Sequence, residues 1–163
     1  MVTLRLTHKL QKLLDIELIE PLSPTTSKLG DWYANFVPTL SGDLILVVNE
    51  RTLLSIAVPI WESDRWLVSF RLRVSNLLGM IEIPPQTILQ ELHNFNEIEF
   101  GKTRSRVVLG SMNDIAYQYQ VIAAMAKNKA DLSLSNVEYQ MSQMPCKPIG
   151  YRNPREVVKE LLL

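Results

Sequence analysis

Apolar and polar positions change rhythm several times along the chain. Val2, Leu4 and Leu6 alternate with polar residues, and Leu10, Leu13 and Leu14 then follow at helical spacing. This predicts a short strand followed by a short helix. The stretch "EPLSPTTSKLG" gathers prolines, hydroxyl residues and a glycine, the chemistry of a connecting loop. Residues 31–60 predict a β-meander: "DWYANFVPTL", a turn at Ser41-Gly42-Asp43, "LILVV", a turn at "NERT", and "LLSIAVPI" with Leu54, Ile56, Val58 and Ile60 on one face. Pro38 lacks a ladder donor, so the first of these strands either lies at a sheet edge or ends there.

The next stretch, "ESDRWLVSFRLRVSNLLGMIEI", carries two rhythms. Trp66, Val68, Phe70, Leu72 and Val74 alternate, while Leu67, Phe70, Val74, Leu77, Leu78 and Ile81 keep helical spacing for longer. The longer pattern predicts a helix, with Ser63 as its N-cap and Gly79 near its end. Pro84-Pro85 open a second short helix, because proline fits a first turn where no amide donor is needed. "NEIEFGKT" suits a strand. Val108, Met112, Ile115, Tyr119, Ile122 and Ala126 then recur at spacings of four and three, laying one apolar stripe along a helix of about five turns capped by Ser105. "DLSLSNVEYQMSQM" predicts a further short helix before Pro145, and "NPREVVKELLL" a terminal one with Asn153 as cap and Pro154 at its first position. The fold class expected is α+β, a mixed or antiparallel sheet built on the meander with several helices packed on it. Residues 1–163 form one globular domain in this reading.

Composition agrees with that picture. The chain has 163 residues, 47% of them hydrophobic and 21% charged, the balance of a globular domain with a real core. Seventeen basic and seventeen acidic residues cancel, which removes a global field for polyanions and makes any such site local. The single Cys146 cannot form an internal disulfide and no charged segment leading into a long apolar stretch opens the chain, so a cytoplasmic location is expected. Apolar runs such as Leu44 to Val48 fall far short of the ~20 residues of a membrane span, and no membrane partner is expected.

Candidate chemistry is sparse. Gly101-Lys102-Thr103 resembles the end of a phosphate-binding loop, but Asn96 stands where that motif needs its first glycine. His8, His93 and Cys146 lack metal-ligand spacing, so no metal site and no cofactor are expected from them. His93 at a helix end is explained by the helix dipole, and Trp32 and Tyr33 are expected in the core. Lys102, Arg104 and Arg106 form a basic cluster without an intervening acid. Upstream lie Glu82, Glu91, Glu97 and Glu99, with no lysine or arginine between 74 and 101. The cluster is either a contact for phosphate or nucleic acid, or it pairs internally with that acidic segment. Gly110 falls inside the predicted helix, where glycine costs about 1 kcal/mol relative to alanine, so close packing or close ligand approach is expected there. Ser111, Asn113 and Asp114 are expected to point away from the apolar stripe, capping nearby loops or lining a polar pocket with Asp31, Asn35, Asn49, Glu50 and Arg51.

Three strings, "LGDWYAN" (29–35), "VNERTLL" (48–54) and "SRVVLGSMND" (105–114), resemble a family of small bacterial proteins classed as a domain of unknown function. The resemblance implies a cytoplasmic bacterial protein of about this length and carries no activity, cofactor or catalytic assignment. The family's third motif has a serine after the arginine, where this chain has Val107. Three functional readings stay open. The first is a binding module contacting phosphate or nucleic acid through Lys102, Arg104 and Arg106. The second is a component with a protein partner, in which Gly110 packs, Asp31 and Asn49 shape turns and Asp114 makes an internal salt bridge. The third is an enzyme hydrolysing a phosphodiester with a metal held by Asp31, Glu50 or Asp114, for which the chain offers no recognisable nucleophile and base.

Overall fold

A computed structural model of the protein describes residues 1–126 and 133–163. Its centre is a five-stranded mixed sheet in the order β4-β3-β2-β1-β5, formed by β1 (Val2–Leu6), β2 (Trp32–Val37), β3 (Leu44–Asn49), β4 (Ser55–Pro59) and β5 (Ile98–Lys102). The predicted meander is β2-β3-β4, paired antiparallel, while β1 runs parallel to both β2 and β5. Such parallel neighbours require crossovers, and the helices of those crossovers cover the sheet.

One face receives α1 (His8–Leu14), α2 (Trp66–Met80), α3 (Pro85–His93) and α6 (Pro154–Leu162). The alternation of β1 sends Val2, Leu4 and Leu6 into this layer, where Trp32, Phe70 and Phe95 meet edge-on or tilted. The other face, with Tyr33, Leu46 and Val48, packs on α4 (Arg106–Met125), and α5 (Leu134–Met141) closes it beside β4. The α4 stripe is as expected: Val108, Met112, Ile115 and Tyr119 are buried. None of the helices among the described residues is long and apolar enough to cross a membrane.

Each sheet edge is met by another part of the chain at one point, which interrupts the open ladder that invites aggregation. Ile19 N–H donates to the Phe100 carbonyl at 2.9 Å on the β5 side, and Ala57 N–H on β4 donates to Glu138 at 3.2 Å.

Three local expectations are corrected or resolved. Ser63 does not cap α2; a 3₁₀ turn over Ile60–Arg65 follows Pro59 directly, and Arg65 occupies the cap position without a side-chain bond. The two helical turns are continuous, so Ser63 meets no free helix start. Pro38 ends β2 rather than marking an edge, since β2 lies between β1 and β3. Gly110 is exposed, and a Cβ built on it would meet nothing within 4 Å, so close packing does not explain it. The helix predicted over "DLSLSNVEYQMSQM" begins at Leu134, and residues 131 and 132 lie outside the described residues. Ser105 and Asn153 cap α4 and α6 as expected, the latter in a full capping box with Glu156.

Candidate functional site

The three quoted strings meet where β5 hands over to α4. Ser105 Oγ accepts the Val108 amide at 3.2 Å, and the buried Tyr33 hydroxyl accepts the amides of Ser105 at 3.1 Å and Arg104 at 3.4 Å. The first turn of α4 is thus fixed by a side chain of β2. On β1, Arg5 points to this same face, opposite to Leu4 and Leu6. Its Nε donates to Asp31 Oδ2 at 2.8 Å and its Nη1 to the Lys102 carbonyl at 2.8 Å. Asp31 also attracts Arg104, 3.4 Å away, and Arg104 binds Glu50 through Nη2 at 2.9 Å. That hydrogen bond holds the guanidinium of Arg104 above its ordinary pKa.

Asn49 builds the turn that presents Glu50. Its Nδ2 donates to the Leu29 and Asp31 carbonyls, while its Oδ1 accepts from the amides of Arg51 and Thr52 and from the Thr52 hydroxyl. The turn also holds Leu53 at φ 58, a left-handed conformation that strains a residue with a Cβ by ~1–2 kcal/mol. Arg51 reaches back to the Lys28 carbonyl at 2.9 Å and lies against Gly30, whose φ of 80 and close approach to the Arg51 side chain suit glycine.

This geometry decides between the two readings of the basic cluster only for Arg104. It is paired internally, though with Glu50 and Asp31 rather than with the acidic segment before it. Glu91 instead receives Ser27 and the amides of Lys28 and Leu29, Glu99 receives Ser23, and Glu82 pairs with Lys159. The side chains of Lys102 and Arg106 are exposed and make no ion pair among the described residues.

A family model for a domain of unknown function, DUF6933, matches residues 3–157. The chain belongs to this DUF6933 family. No curated protein and no solved structure matches it. The matched span includes all of the sheet except Val2, and all of the ion pairs around Asp31.

Within this DUF6933 domain most of the candidate residues fall into two groups. Asp31, Asn49, Glu50, Arg51 and Arg104 gather around the start of α4, with Lys102 and Arg106 beside them. Asn35 is elsewhere, accepting the Thr7 hydroxyl at 2.7 Å, and Asn113 is exposed. Ser111 and Asp114 lie one and two turns further along α4, on the wall of a cleft of about 200 Å³. Ser111 is buried, contrary to expectation, with its hydroxyl donating to the Val107 carbonyl at 3.0 Å. Asp114 makes no ion pair among the described residues, so the expected internal salt bridge is not found among them. Of the carboxylates considered for a metal, Asp31 and Glu50 share Arg104 while Asp114 lies on the cleft wall, and no group of three or more possible ligands is found among the described residues.

Sequence reasoning missed Arg5, Tyr33 as a helix cap, and three polar groups behind the cleft: the buried Glu138, the partly exposed Arg73 that pairs with it, and the hydroxyl of Tyr119. Arg5 carried a readable signal, a cation placed between Leu4 and Leu6 in an otherwise apolar strand. Glu138 is 2% exposed, takes Arg73 Nη1 at 2.7 Å and caps the Ala57 amide; burial pushes its carboxyl up to about 7, further than Arg73 and that amide pull it down. Burial likewise raises the Tyr119 hydroxyl, which stays neutral and bonded to Ser55 at 3.2 Å.

Proposed function

We propose that the protein is a cytoplasmic binding module that contacts a phosphate-bearing ligand or nucleic acid at the start of α4. The carrying observation is the charge balance there. Four cations, Arg5, Lys102, Arg104 and Arg106, build and flank the junction against two carboxylates, Asp31 and Glu50, a formal excess of two positive charges in a chain whose total is zero. The positive end of a twenty-residue helix adds to the same field. In this reading Arg104 and Arg5 are framework, and the ligand contacts are Lys102 and Arg106. The cytoplasmic setting is supported by the single unpaired Cys146.

The test is a titration against short single-stranded and duplex RNA and DNA at two salt concentrations, with the Lys102→Ala/Arg106→Ala variant alongside. Binding should weaken with salt, and the variant should lose up to about two units of salt slope, at roughly 0.7 to 0.9 per contact. Absence of binding at low salt, or equal binding by the variant, overturns the reading in favour of a module with a protein partner.

A further inference from the structure

The cleft beside α4 differs from the junction in that its polar groups are not satisfied by one another. One wall is the helical face carrying Ser111, Asp114 and Gln118, three and four residues apart. The opposite wall is the segment Met144–Pro148. That wall is braced: Cys146 N–H donates to the Arg152 carbonyl and Tyr151 N–H to the Cys146 carbonyl, each at 3.0 Å, with Gly150 and Tyr151 both left-handed. Leu53 and Ser55 form the floor, Leu53 in the strained conformation imposed by Asn49. Strain held at a cavity wall is a common mark of a binding site.

The floor also carries a hydroxyl pair. Ser55 and Tyr119 carry two hydroxyl hydrogens between them and share one bond. Either oxygen can be the donor, and the hydrogen not used between them is free for a further acceptor. Because Ser55 lines the cleft, a ligand there reaches this pair through the Ser55 hydroxyl. A ligand oxygen in the cleft would accept from the Ser55 hydroxyl when Tyr119 donates to Ser55. At the rim stand two opposite charges, Asp114 on α4 and Lys147 on the facing wall, and neither makes an ion pair among the described residues. A ligand of one charge sign would gain at one of them and be repelled by the other. The rest of the lining, Leu53, Ile115 and Met141 among it, is apolar. At about 200 Å³ the cavity is smaller than the roughly 300 to 1,000 Å³ of sites for drug-sized ligands, so its occupant is small.

We propose that this cleft binds a small apolar α-amino acid as its zwitterion. The ammonium group lies on Asp114, the carboxylate on Lys147 and the Ser55 hydroxyl, and the side chain over Leu53, Ile115 and Met141. This site does not depend on the charged junction at the start of α4.

The experiment is calorimetric titration and thermal unfolding of the full chain with L-leucine and L-methionine. Isoamylamine and 4-methylpentanoate, each keeping the apolar body and one of leucine's charged groups, serve as half-ligands. One or both amino acids should bind and raise the melting temperature, with each half-ligand weaker by roughly tenfold or more, the scale of one charge-assisted hydrogen bond. Asp114→Asn, Lys147→Met and Ser55→Ala should each weaken binding by a similar factor. The first two change exposed side chains and should leave the unliganded melting temperature unchanged. Occupancy should also slow alkylation of Cys146, the only cysteine and part of the wall, read as a single mass increment. Failure of both amino acids to bind at millimolar concentration, half-ligands that bind as tightly, or wild-type affinity in both charge variants overturns the proposal. Lys102→Ala/Arg106→Ala should leave amino-acid binding intact, which separates failure here from failure of the nucleic-acid reading.

Discussion

The two polar regions along α4 handle charge in opposite ways. Around its first turn, the Asp31 carboxylate receives two arginines and Arg104 in turn holds Glu50, so these four charges balance within the protein. Two turns later, Asp114 and Lys147 face one cleft without ion pairs among the described residues, and the only buried carboxylate nearby, Glu138, has a single arginine. The junction therefore has the construction of a fixed framework from which Lys102 and Arg106 project. The cleft has the construction of a site whose groups await partners. Residue type does not separate the regions, since both mix acids, bases and hydroxyls; the number of internal partners does.

The sharpest break of this comparison is Asp31→Ala. It leaves Arg5, whose side chain is 9% exposed, without a carboxylate, and an unpaired buried charge of this kind costs ~3–5 kcal/mol. Urea denaturation should show a loss of that order. Glu50→Ala, by contrast, releases Arg104, which is 59% exposed and hydrated, and should cost no more than about 1 kcal/mol. Equal losses in the two variants would mean that Asp31 is not the centre of the framework.

The next effect lies behind the cleft and is read against pH. The Glu138 carboxyl is raised from 4.5 to about 7 in the folded protein, mainly by burial. Between those values the folded chain retains a proton that the unfolded chain has released. Stability from this group is therefore fully present below pH 4.5, falls as pH rises and is gone above about 7, with a slope of at most ~1.4 kcal/mol per pH unit. Glu138→Gln keeps the shape of the protonated acid and removes the titration. Relative to the parent, the variant should gain stability as pH is raised through this window in a denaturation series. A parent and variant with parallel pH curves would show that Arg73 and the Ala57 amide hold Glu138 ionised, and would erase the contrast with the cleft side of the molecule.

Local features of this fold were legible because they depend on neighbours in sequence. The alternation of β1, the meander, the α4 stripe, and the Ser105 and Asn153 caps all follow from spacing and from side chains within four residues. The ion pairs were not legible, because their partners are distant: Arg5 and Asp31 are 26 residues apart, and Arg104 and Glu50 are 54. They meet only once β1 has been set in parallel register with β2 and β5, a pairing that leaves no periodic trace in the chain. The free basic pair and the cleft are likewise products of topology. Gly110 is a different case. At about 100° per residue, position 110 lies opposite the stripe through Val108 and Met112, so its exposure could have been read from the same helical phase that located α4.

That exposure yields the smallest effect and separates the two regions most directly. Gly110 lies within α4 between the capped first turn and the cleft wall, its backbone is helical, and an added Cβ meets nothing within 4 Å. Gly110→Ala should therefore stabilise the protein by up to ~1 kcal/mol, because alanine loses less backbone entropy on entering a helix. The expected reading is a small rise in melting temperature with nucleic-acid and amino-acid titrations both unchanged. A fall in melting temperature would place an unrecognised contact over this face of α4. A rise accompanied by altered binding at both regions would show that they communicate through the stiffness of the helix, and the contrast between a closed framework and an open cleft would then describe one coupled site.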